Sequence, residues 1–214
     1  MKGVVIKSTG SWYQVKPTLG ETILCRIKGK FRLSGIKHTN PIAVGDEVEF
    51  ELEENSENGV IHKIYDRKNY IIRKASNLSK QTHIIASNID QALLVVSLVQ
   101  PQTSLGFIDR FLMTAEAYHI PTIIVVNKAD LYGEPMFDIL DDLMSMYREI
   151  GYTCFETSSV TGLNTDKLKE LLQNRTTLLS GHSGVGKSSL LNVISPGLNL
   201  KVGEISNFSQ KGTH

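Results

Sequence analysis

"TTLLSGHSGVGKSSLLNVI", residues 176–194, decides the reading of this chain. Within it, residues 181–188 fit the phosphate-loop pattern G-x-x-x-x-G-K-[ST] without a gap. The stretch before it, "TTLL", is strand-like, and "SSLLNVI" after it has helical spacing, which is the setting the motif needs. Glycines at 181, 184 and 186 let successive backbone N–H groups turn inward around phosphate oxygens, at a helix N-terminus whose dipole favours anions. The phosphate-binding set is Ser180, Gly181, His182, Ser183, Gly184, Val185, Gly186, Lys187, Ser188 and Ser189. Lys187 is expected to reach the β- and γ-phosphates, the Ser188 hydroxyl to ligate Mg²⁺, and His182, at a variable position, only to line the loop. The bland alternative is a glycine-rich turn at a helix start; by average composition the four specified positions arise by chance about once in a hundred such chains.

The motif stands late, with only 26 residues after Ser188 (214 − 188). Upstream, "TIIVVNKADL" at 122–131 carries N-K-x-D at the end of a buried strand, where parallel sheets place their ligands. The Asp130 carboxylate can accept from the ring N1–H and the exocyclic amine of guanine together, and adenine offers no such pair. A carboxylate left unpaired by the wrong base can reject it by about 10⁴-fold. Lys128 is expected to lay its stem along the base or ribose, and Asn127 to tie this loop to the phosphate loop. "FETSS" at 155–159 ends the next strand, and its small residues would let backbone amides approach the guanine carbonyl. The guanine-binding set is therefore Asn127, Lys128, Ala129, Asp130, Thr157, Ser158 and Ser159. Taken alone, N-K-x-D could cap a helix, and the small-residue run could be a plain strand end.

Around these motifs the chain has two grammars. Residues 1–70 read as five short strands, "GVVIKS", "WYQVK", "TILCRIKG", "EVEFELEE" and "GVIHKIYD", with Asn58-Gly59 as a tight-hairpin signal. Five strands in that length suit an OB-fold barrel, with an SH3-like barrel as the alternative. Residues 71–85 read as a linker. From residue 86 to 214, continuous apolar strands alternate with amphipathic helices, which predicts a parallel sheet covered on both faces. The fold class is thus an N-terminal all-β barrel followed by an α/β P-loop domain. Its motif order, N-K-x-D, then the small-residue loop, then the phosphate loop, suits the fold only if the domain is circularly permuted.

Composition sets further bounds. Hydrophobic residues make up 41% and charged residues 21%, ordinary for a globular protein, and a net charge of +1 confines any RNA contact to a local patch. The OB region supplies such a patch in "CRIKGKFRLSGIK": Arg26, Lys28, Lys30, Phe31, Arg32 and Lys37 would suit backbone contact and base stacking, against the plain alternative of a solvated hairpin face. The two cysteines, Cys25 and Cys154, have no metal spacing and read as buried thiols. The N-terminal apolar run is too short for a signal peptide and the longest apolar stretches too short for a membrane span, so a cytoplasmic monomer with no membrane partner is expected.

The combination of an OB-like barrel with "NKAD", "ETSS" and "GHSGVGKSSLLN" in permuted order resembles the RsgA/YjeQ-type ribosome-small-subunit-dependent GTPases over the whole chain. The resemblance implies GTP hydrolysis linked to late maturation of the small (30S) subunit, with GTP, GDP and Mg²⁺ as ligands and 16S rRNA as the partner surface. It also implies a longer protein. The family continues through a switch-I threonine, a D-x-x-G loop and a zinc-binding domain, whereas this sequence stops at "SQKGTH", inside the family's K-G-x-H-T-T stretch. Zinc is expected only in that further domain, none in this chain, and this chain is expected to bind nucleotide and hydrolyse it poorly or not at all. Two other readings stand beside it. A P-loop NTPase of another class with an RNA-binding barrel would prefer ADP, and a barrel module with a purely structural nucleotide fold would bind neither nucleotide.

Overall fold

The computed structural model describes residues 1–27, 41–54, 56–74 and 82–202. The chain divides into two compact units, Met1–Ile89 and Asp90–His214. In the first, β1 (Lys2–Thr9), β2 (Trp12–Pro17), β3 (Ile23–Ile27), β4 (Glu47–Leu52) and β5 (Gly59–Ile64) close into a barrel in the order β1-β2-β3-β5-β4. Every pairing is antiparallel except β3 with β5, giving the closed five-stranded arrangement of an OB-like barrel. Alternation places Val5, Tyr13, Val15, Cys25, Val48, Phe50 and Ile61 inside. Asn58-Gly59 does not make a two-residue hairpin. Gly59 is the first residue of β5, and a Cβ on it would lie 2.7 Å from Cys25 Sγ and 2.9 Å from a Phe50 ring carbon. The glycine there serves core packing, which a turn signal cannot reveal.

The segment read as a linker carries structure of its own. β6 (Tyr70–Lys74) and β7 (Thr82–Ser87) pair antiparallel, and the first unit includes both. Their tie to the barrel is a buried charge cluster. Asp46, with no exposed surface, accepts two 2.6 Å bonds from Arg67, one of 2.5 Å from the Ser87 hydroxyl and one of 2.8 Å from the Ala43 N–H. A carboxylate satisfied on every side can stay buried and charged, and it holds the Arg67 guanidinium further above its usual range.

The second unit is a four-stranded parallel sheet in the order β10-β9-β8-β11, formed by Thr153–Glu156, Thr122–Val126, Gln91–Val96 and Thr177–Ser180. The last strand in sequence pairs with the first, Leu94 opposite Ser180. Both faces are covered. Leu94, Val96, Ile124 and Val126 pack against α1 (Leu105–Ala117) and α2 (Glu134–Ile150). Leu93, Val95, Ile123 and Val125, pointing the other way, pack with residues of α3 (Thr165–Leu172) and α4 (Lys187–Ile194). The period-two alternation of fully buried strands thus feeds two apolar layers. Burial pushes the Cys25 and Cys154 thiols up to about 11, consistent with inert core residues. Among the described residues no helix is long and apolar enough to cross a membrane.

Candidate nucleotide site

The loops leaving β9, β10 and β11 emerge at the C-terminal end of the second unit's parallel strands and are joined by one side chain. Asn127, fully buried, donates through Nδ2 to the Val185 carbonyl at 2.9 Å and accepts from the Thr157 hydroxyl at 3.1 Å. Its own N–H bonds the Val96 carbonyl at 2.8 Å, fixing it to the central strand. The three motifs far apart in sequence therefore share one hydrogen-bonded hub. The phosphate loop packs against that hub so closely that side chains are excluded. At Gly186, with φ +95°, a Cβ would lie 2.3 Å from Asn127 Nδ2; at Gly181, with φ +140°, it would lie 2.1 Å from the Val95 carbonyl oxygen.

Charge is arranged around this frame. Lys187 Nζ is held inside the loop by the carbonyls of Gly181 at 2.9 Å and His182 at 2.7 Å, and burial pulls its pKa below the usual lysine range. Lys128, in the left-handed conformation at φ +70°, bonds the Gln100 carbonyl; burial lowers its pKa, with Asp130 opposing. The Ser158 hydroxyl donates to Asp130 Oδ1 at 2.5 Å and accepts from the N–H groups of Val160 and Thr161 at 3.2 and 3.1 Å. That serine aims the carboxylate.

A cleft of about 490 Å³ runs along these groups, of a size suited to a small molecule. Its lining from the β9 and β10 loops is Lys128, Asp130, Leu131, Ser159 and Val160; from the phosphate loop it is Ser183, Gly184, Gly186, Lys187, Ser188 and Ser189. Lys201 and Val202 complete it. Other residues of the two sets stand behind the lining. Val185 is buried in the core below its loop, Ala129 donates its N–H to the Thr157 carbonyl at 3.0 Å, and the His182 ring stacks on Phe107 with centroids 3.9 Å apart. The Thr157 and Ser158 amides, expected to face guanine, are spent internally on the carbonyls of Val126 and Leu163. Of that trio only Ser159 lines the cleft. In the barrel, Arg26 pairs with Glu53, while Lys28, Lys30, Phe31, Arg32 and Lys37 lie outside the described residues.

Tyr132 has no sequence signal and is central to the geometry. Its buried hydroxyl donates to the Asn127 carbonyl at 2.5 Å and accepts from the Leu98 N–H at 3.1 Å, locking the ends of β8 and β9 together. Tyr132→Phe keeps the ring but leaves both backbone groups without that partner. The expected cost is about 1–3 kcal/mol, seen as a lower melting temperature together with guanine-nucleotide affinity reduced severalfold in a calorimetric titration.

The donor set also fits a magnesium ion. Ser188 lines the cleft next to Lys187, and among the described residues there is no cluster of three or more His, Cys, Asp or Glu side chains that could hold a metal. Mg²⁺ needs no protein cage, since it keeps waters and takes substrate phosphate oxygens.

Two family models cover almost the whole chain: "RsgA N-terminal domain" over residues 2–61 and "RsgA GTPase" over 64–214. A Bacteroides fragilis protein described as small ribosomal subunit biogenesis GTPase RsgA is 55% identical over 214 residues, covering 100% of this chain and 69% of the relative. A relative of the same description from Flavobacterium psychrophilum is 54% identical over 216 residues, covering 100% of this chain and 66% of that protein. The crystal structure of YjeQ from Thermotoga maritima matches 99% of this chain and 72% of its own, with TM-score 0.77 and 37% identity. YloQ, a circularly permuted GTPase, matches 98% of this chain and 68% of its own, with TM-score 0.71 and 35% identity.

Proposed function

The chain belongs to the RsgA GTPase family, and from that premise we propose that its cleft binds GTP and GDP with Mg²⁺ and that it assists late maturation of the small ribosomal subunit through its 16S rRNA. The convergence of Asp130, Lys187 and the phosphate loop on one cleft, held by Asn127, is the observation that carries the nucleotide part. In this reading Asp130 accepts from guanine N1–H and the exocyclic amine while Ser158 fixes its orientation. Lys128 and Leu131 flank the base. Lys187 exchanges its loop carbonyls for phosphate oxygens, and the backbone N–H groups of residues 183–188 would stabilise charge on the phosphoryl groups. Ser188 would hold Mg²⁺, which supplies neutralisation of phosphate charge when bound. The barrel, taken as 1–70, is the RNA-contacting module, with the GTPase domain over 86–214; the protein works as a cytoplasmic monomer.

Sedimentation with purified ribosomal subunits tests the partner. The chain is expected to pellet with small and not large subunits, and increasingly less so as salt rises, because phosphate contacts release counterions. Equal recovery with both subunits contradicts the assignment.

A further inference from the structure

We propose that Lys201 is a further contact for the phosphate groups of the bound nucleotide, and that Asn192 is the positioning residue that delivers it. The inference rests on the nucleotide reading above. Beyond α4 the chain turns through Pro196–Leu198 and through Asn199 in the left-handed conformation at φ +46°. Leu200 is then clamped: Asn192 Nδ2 donates to its carbonyl at 2.9 Å, and its N–H donates to Asn192 Oδ1 at 2.8 Å. One carboxamide thus satisfies both backbone groups of a residue, imitating a strand partner. Because Asn192 sits on α4, the helix that begins at Lys187, the clamp fixes the returning segment to the element that also carries the phosphate loop.

The result is that Lys201 lines the cleft that Lys187 and Ser188 line. Among the described residues, the charged lining is Lys128, Lys187 and Lys201 against Asp130. The first two ammonium groups are held by main-chain carbonyls, whereas Lys201 forms no ion pair among the described residues. A cation lining a phosphate-binding cleft attracts a di- or triphosphate, and the interaction weakens with salt. No motif marks it: a lone lysine thirteen residues beyond Ser188 (201 − 188) belongs to no spacing rule.

Calorimetric titration with GDP at two salt concentrations tests the proposal. Lys201→Gln is expected to weaken GDP binding about 3–10-fold and to flatten its salt dependence, with Lys201→Arg restoring both. Asn192→Ala is expected to weaken binding similarly. The double variant should be no weaker than Asn192→Ala alone, since a clamp acting through Lys201 has nothing further to lose. Wild-type affinity and salt slope in Lys201→Gln, or strictly additive effects in the double variant, overturn the proposal while leaving the nucleotide reading intact. A wild-type chain that binds no GDP overturns both.

Discussion

An Asp130→Asn chain is expected to bind GDP about a hundredfold more weakly than the wild type and to gain affinity for xanthosine diphosphate. The carboxylate is expected to accept two charge-assisted bonds from guanine, each worth about 1.5–3 kcal/mol. Asp130 is exposed at the cleft, so solvent screens part of that sum, and a loss near 10²-fold is the discounted figure. The amide keeps one acceptor and sets an N–H₂ against the guanine amine; xanthine presents a carbonyl at that position and turns the repulsion into a bond. Ser158 can still donate to the remaining oxygen, so the side chain keeps its orientation. Paired titrations with GDP and xanthosine diphosphate check this. An unchanged GDP affinity would remove Asp130 from base recognition.

The second large effect belongs to the phosphate loop. Gly186→Ala is expected to reduce nucleotide affinity by two orders of magnitude or more while the chain still folds. A left-handed backbone costs a residue with a Cβ about 1–3 kcal/mol, and this Cβ would also sit 2.3 Å from Asn127 Nδ2. The clash cannot be relieved locally. Asn127 is buried and bonded to Val185, Thr157 and Val96, so moving it displaces all three loops. Gly197→Ala is the matched control: a Cβ there meets nothing within 4 Å, and both affinity and melting temperature should hold. Equal behaviour of the two variants would show that the close approach of loop to hub has no part in binding.

The sequence makes legible whatever is local. The five barrel strands and the strand–helix alternation follow from side-chain periodicity, and the phosphate loop and N-K-x-D from residue types at fixed spacing. Long-range pairings leave no such trace. Tyr132 holds Leu98 and Ser158 aims Asp130, each through a contact that only the folded chain brings about. Gly59 misleads for a related reason, since glycine serves a turn and a tight core contact equally well. The β6–β7 pair falls in a polar, basic stretch whose attachment depends on the buried Asp46 of the barrel, and polarity alone reads as linker. Nothing in the small-residue run shows that Ser159 alone of the three lines the cleft, or that the amides of Thr157 and Ser158 are engaged elsewhere.

The most direct measurement is calorimetric titration of this 214-residue chain with GDP and, separately, with ADP in the presence of Mg²⁺. Micromolar binding of GDP with no heat from ADP is the predicted result, because only guanine offers Asp130 its two donors. Equal binding of the two nucleotides, or a preference for ADP, contradicts the assignment of the cleft as a guanine site.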